Sequence, residues 1–262
     1  MCNKHVKFGA FFDWAIKQRA DYVATGHYAQ KRESGSMNYD LRISEDKEKD
    51  QSYFLWTLTQ KELARTLFPV GGMKKPEVRK LAAKLGLPTA EKKDSQGLCF
   101  IGKVPMKEFL GHYIKGRRGD VQDGEGNIIG WHDGAVFLTI GERHGFTITK
   151  KTTHDTPLYV VAKDVKKNTV TVSPERVGGT ERSAREIKIN QTNWVSGQLP
   201  QMNKIYGARI RYRQPLEVCR IVGAKGGRCS LKFDRPQIAV TAGQSFVLYD
   251  GEVCLGGGII AA

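Results

Sequence analysis

Apolar positions near the start of the chain recur at helical spacing. Phe8, Phe12, Ala15 and Ile16 share one stripe, which predicts an amphipathic helix over residues 4–19. Residues 21–25 then read as a short apolar strand running into Gly26-His27-Tyr28. A helix feeding a strand that ends in a glycine turn is half of a βαβ unit, and open α/β sheets bind ligands outside the carboxyl ends of their strands. Residues 31–49 are polar and charged and read as a flexible insertion. A helix with Asp50 or Ser52 as its N-cap is expected over 53–58, and another over 60–66. A third opens at Lys75-Pro76, buries Val78, Leu81, Ala82 and Leu85, and stops at Gly86.

After a short helix at 104–114 the periodicity changes from helical to alternating. Strands at 120–122 and 128–130 flank the turn Asp123-Gly124-Glu125-Gly126-Asn127, followed by strands at 135–140, 158–163 and 169–173. Val177-Gly178-Gly179-Thr180 reads as a linker. Beyond it, short alternating runs at 208–213, 216–222, 228–233, 238–240, 245–249 and 252–255 predict a small barrel. The expected fold class is α/β followed by β.

Composition narrows the partners. The 262 residues are 40% apolar and 26% charged, enough for two or three domains. No run approaches the ~18 apolar residues of a membrane span, and the first residues carry no signal-peptide stretch. The expected location is cytoplasmic, with no membrane partner. A formal charge of +15 points to a polyanion. The cations cluster in two regions, Lys74–Lys93 and Lys204–Arg235, which suits a folded nucleic acid touching two domains better than a small anion.

There are five cysteines, an odd number with no Cys-x-x-Cys, which disfavours a disulfide framework and a zinc ribbon. Cys99 lies between Lys92-Lys93 and the apolar Leu98, Phe100 and Ile101, after a Ser95-Gln96-Gly97 turn. It is either a small buried hydrophobe or a thiol made reactive by nearby cations. His27 is either an ordinary loop histidine or a ligand contact. If the fold brings Cys2 to Cys99, the pair supports thiol–disulfide exchange; otherwise Cys2 is simply an N-terminal residue.

Several motifs occur in a fixed order: Cys2-Asn3-Lys4, Ala24-Thr25-Gly26-His27-Tyr28, Lys49-Asp50-Gln51-Ser52-Tyr53-Phe54-Leu55, Phe68-Pro69 and Lys93-Asp94-Ser95-Gln96-Gly97-Leu98-Cys99-Phe100-Ile101-Gly102. They continue with Thr139-Ile140-Gly141-Glu142-Arg143-His144-Gly145, Arg211-Tyr212-Arg213-Gln214 and Cys254-Leu255-Gly256-Gly257-Gly258. Together they make the chain resemble the tRNA-specific 2-thiouridylases (tRNA-uridine 2-sulfurtransferases) from Cys2 to its end. The resemblance implies part of an ATP-pyrophosphatase domain of the adenine-nucleotide α-hydrolase type over 1–102, a small central domain over 103–177 and a C-terminal β-barrel over 178–262.

The implied reaction replaces the C2 oxygen of a tRNA wobble uridine by sulfur. ATP, with Mg2+ as counter-ion and no tightly bound metal, adenylates the oxygen so that AMP can leave. Sulfur arrives as a persulfide on the position matching Cys99, loaded by a cysteine desulfurase or a relay protein. The position matching Cys2 either attacks the activated carbon or reduces the persulfide, leaving a Cys2–Cys99 disulfide. Gly26 matches an ATP contact. His27, the segment Lys49, Asp50 and Gln51, the pair Arg211 and Tyr212, and Gln244 match tRNA contacts.

Two departures shape the expectation. The Ser-Gly-Gly-x-Asp-Ser loop that cradles ATP phosphates in the family does not occur in these residues, and no aspartate stands three residues before Cys2. The chain alone is therefore expected not to adenylate tRNA. The rival expectation is a tRNA-binding fragment without thiolation activity.

Overall fold

The computed structural model describes residues 2–35, 38–91, 106–149, 156–175, 184–238 and 240–261. They form two compact units, one from residues 1–92 with 184–262 and the other from 93–183.

The first unit begins with a π-helical segment, Asn3–Phe11, that kinks at Gly9 and continues as α1 (Phe12–Lys17). Phe8, Phe12 and Ala15 are buried, as the apolar stripe requires, while Phe11 and Trp14 face outward. The chain then forms β1 (Val23–Ala24), which pairs in parallel with β4 (Thr66–Leu67).

The polar stretch expected to be a flexible insertion is instead a β-hairpin. Strands β2 (Ala29–Glu33) and β3 (Tyr39–Ile43) pair antiparallel over five residue pairs. One face of β3 buries Leu41 and Ile43, and that face is what orders an otherwise polar ribbon. The expected helix at 53–58 is a single 3-10 turn, Ser52–Phe54. Asp50 accepts from the backbone N–H of both Ser44 and Ser52 (3.2 Å each), so it closes a loop rather than capping a helix. Helix α2 (Gln60–Ala64) does form, its start fixed by a Thr59/Glu62 capping box. Helix α3 (Lys75–Lys84) carries Pro in its first turn and ends before Gly86, whose φ is +65°. Its expected buried face is open among the described residues, with Leu81 and Leu85 exposed.

Residues 184–261 close a six-stranded antiparallel barrel in the order β10 (Ala184–Trp194), β13 (Arg228–Gln237), β12 (Glu217–Lys225), β11 (Tyr206–Arg209), β14 (Ser245–Asp250), β15 (Val253–Ile260) and back to β10. Strand β10 carries no apolar run long enough to announce itself, and the strand expected at 238–240 falls partly outside the described residues. Glycine makes the closure possible. A Cβ on Gly257 would run into the Phe246 carbonyl, and one on Gly256 (φ +122°) into that of Asn193. The Gly256-Gly257-Gly258 run is therefore a packing device that lets β15 lie close to β14 and β10.

The start of β15 also pairs with β3 (Val253 with Arg42, Cys254 with Leu41), so the N-terminal hairpin extends the barrel sheet. A shared core of Phe8, Leu41, Leu55, Leu58, Leu63, Val247 and Tyr249 fills the angle between the two parts. Each fully buried side chain of this size contributes roughly 1.5–3 kcal/mol.

Among its described residues the second unit starts with α4 (Met106–Gly111) and holds a five-stranded sheet. Its order is β7 (Phe146–Ile148), β6 (Ile128–His132), β5 (Gly119–Gln122), β9 (Thr169–Ser173), β8 (Tyr159–Asp164). Asp123 organises the expected hairpin turn, accepting from the backbone N–H of Glu125 and Asn127. The expected strand at 135–140 is a 3-10 turn, Ala135–Phe137, with Ala135 and Leu138 packed on the sheet core. No helix among the described residues is long and apolar enough to cross a membrane.

Candidate functional site

Residues 50–56 are the hub of the first unit. Gln51 makes two bonds to Tyr28: its backbone N–H donates to the Tyr28 carbonyl (2.8 Å), and its side-chain Oε1 accepts from the Tyr28 N–H (3.0 Å). This clamp holds Lys49-Asp50-Gln51 against the Gly26-His27-Tyr28 turn at the end of β1. Asn3 Nδ2 donates to the Phe54 carbonyl (2.9 Å), which brings the helix that begins beside Cys2 to the same loop. Phe54 and Tyr212 lie ring to ring at 4.5 Å, and Tyr53 sits 6.3 Å from Tyr212.

The Tyr53 hydroxyl donates to the carbonyls of Ser245 (2.7 Å) and Ile210 (3.3 Å), and Trp56 Nε1 donates to Ser245 Oγ (3.1 Å). Ser245 follows Gln244, whose half-buried side chain has no partner for its Oε1. The barrel turn itself is shaped by Gln214. Its backbone N–H donates to the Arg211 carbonyl (3.3 Å), and its Oε1 accepts from the Ile210 N–H (3.0 Å). Arg213 sits in the left-handed region at φ +65°, with its guanidinium 5.3 Å from the Tyr212 ring. Held backbone strain of this kind concentrates where a turn must present side chains in one orientation.

Asp50 is not on the surface. Its carboxylate is 2% exposed and accepts from Arg209 Nη1 (2.8 Å) and Ser52 Oγ (3.0 Å) as well as from the two backbone N–H groups. Arg209 is at the end of β11, two residues before Arg211, and its guanidinium lies 5.3 Å from the Tyr249 ring. This carboxylate ties the loop of Lys49, Asp50 and Gln51 to the barrel. His27 is buried too. Its Nε2 accepts from Lys7 Nζ (3.3 Å), so Nδ1 carries the proton toward Thr25 Oγ1 (2.7 Å). Burial, and then the nearby Lys7 charge, hold its pKa down at about 4. Its ring lies 5.8 Å from that of Phe8 in the π-helical segment.

Cys2 is a half-buried free thiol at the start of the π-helical segment. Cys219, Cys229 and Cys254 are free and buried, and burial pushes the thiols of Cys219 and Cys254 up to about 12. Desolvation makes these three inert. Cys99 and its flanking motif lie outside the described residues, and with them the expected Cys2–Cys99 disulfide. Gly26 is exposed just past β1, and a Cβ built there would meet nothing within 4 Å.

Family models match along nearly the whole chain: a tRNA methyl transferase HUP domain over residues 1–103, a tRNA methyl transferase PRC-barrel domain over 107–174 and an aminomethyltransferase beta-barrel domain over 184–260. Proteins named tRNA-specific 2-thiouridylase MnmA align over nearly all of this chain and about seven-tenths of their own length. That of Cupriavidus metallidurans is 43% identical over 99% of this chain and 72% of its own length. Those of Ralstonia pickettii (45%, 100% of this chain, 70% of the relative) and Thiobacillus denitrificans (44%, 99% and 73%) agree.

The chain belongs to the tRNA-specific 2-thiouridylase family.

Within this thiouridylase framework the barrel belongs to the same compact unit as the N-terminal segment. The fold brings Cys2, Gly26, His27, residues 49–51, Arg211, Tyr212 and Gln244 around one loop. Sequence reasoning missed Asn3, Phe54, Arg209 and Ser245, which join these pieces. Phe54 was legible only as one member of an apolar run, and Arg209 only as one cation among many.

Proposed function

We propose that this chain acts in tRNA 2-thiolation, with Cys2 and Cys99 as the sulfur-handling pair. Arg211 and Tyr212 meet the tRNA beside the target base, where a guanidinium binds phosphate and an aromatic ring stacks. Lys49, Gln51 and Gln244 contribute further contacts from the same surface. ATP is the co-substrate that turns the uridine C2 oxygen into a leaving group, and Gly26 offers its open backbone to it.

The electron balance assigns roles to the two thiols. The terminal sulfur of a Cys99 persulfide ends as the C2 sulfur of the uridine, so it is reduced to the sulfide level. The two electrons come from Cys2 and Cys99, which end as a disulfide, while AMP and pyrophosphate leave. A reductant then reopens the disulfide. The chain's residues bring the Cys2 segment to the base-contacting turn through Asn3, Phe54 and Tyr212, and that convergence is the observation supporting this reading over simple RNA binding. The methyl-transferase wording of the family models suggests another group transfer. The two cysteine motifs and the names of the relatives that match nearly all of this chain favour sulfur.

The test supplies the protein with tRNA, ATP and a persulfide donor, reading thiolated tRNA by retardation in an organomercury gel. Cys99→Ser is expected to abolish the retarded band, and undiminished thiolation would remove Cys99 from the reaction.

A further inference from the structure

We propose that the barrel holds a second nucleotide pocket, for the base of one unpaired nucleotide flanking the target uridine. This inference rests on the reading of the chain as a tRNA-thiolating protein. The pocket is a cavity of about 230 Å³ at the ends of β11, β12 and β13, lined by Arg211, Gln214, Glu217, Arg235, Pro236 and Ile238 among others. It is smaller than the roughly 300–1,000 Å³ of sites that take drug-sized ligands, as suits a single base.

Arg211 belongs both to this pocket and to the turn whose next residue, Tyr212, packs on Phe54. A strand laid across that turn passes from one to the other. The lining has the chemistry of unstacked-base recognition. Ile238 and Pro236 supply apolar surface, and Ile238 is 58% exposed with nothing built over it among the described residues. Arg211 and Arg235 supply cations for the phosphates on either side. Glu217 supplies a carboxylate acceptor for base N–H groups, the edge by which single-stranded RNA is read.

The floor is preorganised. Gln214 Nε2 donates to Gln237 Oε1 (2.9 Å), and Gln237 Nε2 donates to the Arg235 carbonyl (3.1 Å). Gln237 is 3% exposed, so this amide chain is fixed by packing and sets where Arg235 and Gln214 stand. A purely structural amide pair would not need two arginines and a glutamate on its open rim.

The experiment measures binding of an anticodon stem-loop RNA by fluorescence anisotropy, with an abasic site placed in turn at each nucleotide flanking the target. With the wild-type chain one flanking abasic site is expected to weaken binding about five- to tenfold, the loss of one stacked base. With Arg235→Ala or Ile238→Glu the intact RNA binds more weakly, and that same abasic site has no further effect. Both positions are exposed, so neither substitution disturbs the barrel, and an unchanged circular dichroism spectrum checks this. The pocket is refuted if no flanking position matters in the wild type, or if the full penalty persists in both variants. A wild-type chain that binds an unrelated stem-loop equally well overturns the thiolation reading along with it, whereas discrimination without a flanking penalty overturns the pocket alone.

Discussion

The buried pair between Asp50 and Arg209 is the joint on which the site depends, and breaking it has a calculable cost. Asp50 is 2% exposed and the Arg209 side chain 13% exposed, at 2.8 Å. Asp50→Asn keeps the shape but leaves the guanidinium without its counter-charge, with Arg209 Nε already lacking an acceptor. Removing one partner of a buried pair costs about 3–5 kcal/mol. Arg209→Met is milder, because the carboxylate keeps three donors, from Ser44 N–H, Ser52 N–H and Ser52 Oγ. Loss of one charged hydrogen bond costs about 1.5–3 kcal/mol. The double variant is expected to be less destabilised than the sum of the two, by at least about 1.5 kcal/mol, since neither charge is then left alone. Urea unfolding followed by tryptophan fluorescence reads this, because Trp14, Trp56 and Trp194 lie in the first unit and only Trp131 in the second. Single substitutions each costing under about 0.5 kcal/mol, or strictly additive effects, would refute the description of a desolvated pair. Anisotropy with tRNA gives an independent reading: both single variants are expected to bind more weakly, as the loop at 49–54 and the turn at 211–214 lose their common anchor.

Three further outcomes follow from the same structure. Brief alkylation of the native chain, mapped by peptide mass spectrometry, is expected to modify Cys2 well before Cys219, Cys229 and Cys254, and early labelling of Cys254 would contradict its burial. His27 has a folded-state pKa of about 4 against 6.5 in the unfolded chain, so its contribution to stability is complete above pH 6.5 and is lost as pH falls toward 4. The loss is on the order of 3 kcal/mol, and His27→Gln is expected to flatten the stability profile between pH 6.5 and 4; an unaltered slope would count against the neutral buried imidazole. Gly257→Ala is expected to destabilise the first unit by about 2 kcal/mol or more, because the added methyl group meets the Phe246 carbonyl across the barrel seam; thermal unfolding unchanged from wild type would show that the seam is looser than described.

Local pattern alone determined a good part of this protein. The stripe of Phe8, Phe12 and Ala15, the helix opening at Gln60 and the Asp123 turn are short-range features, and each is present where periodicity and turn chemistry placed it. The ordered motifs carried the family, because they are fixed strings that need no three-dimensional context. Only the tertiary structure decided the rest. The polar hairpin at Ala29–Ile43 is ordered because β3 pairs with β15, a partner more than two hundred residues away in sequence, and no local preference encodes that. The packing role of the glycine run at 256–258 is visible only once the barrel closes and β14 and β10 lie against it. Asp50 and His27 share motifs with exposed neighbours, and nothing in a one-dimensional pattern says which way a side chain turns. That direction comes from Arg209, Lys7 and the packing around them, which only the folded chain brings together.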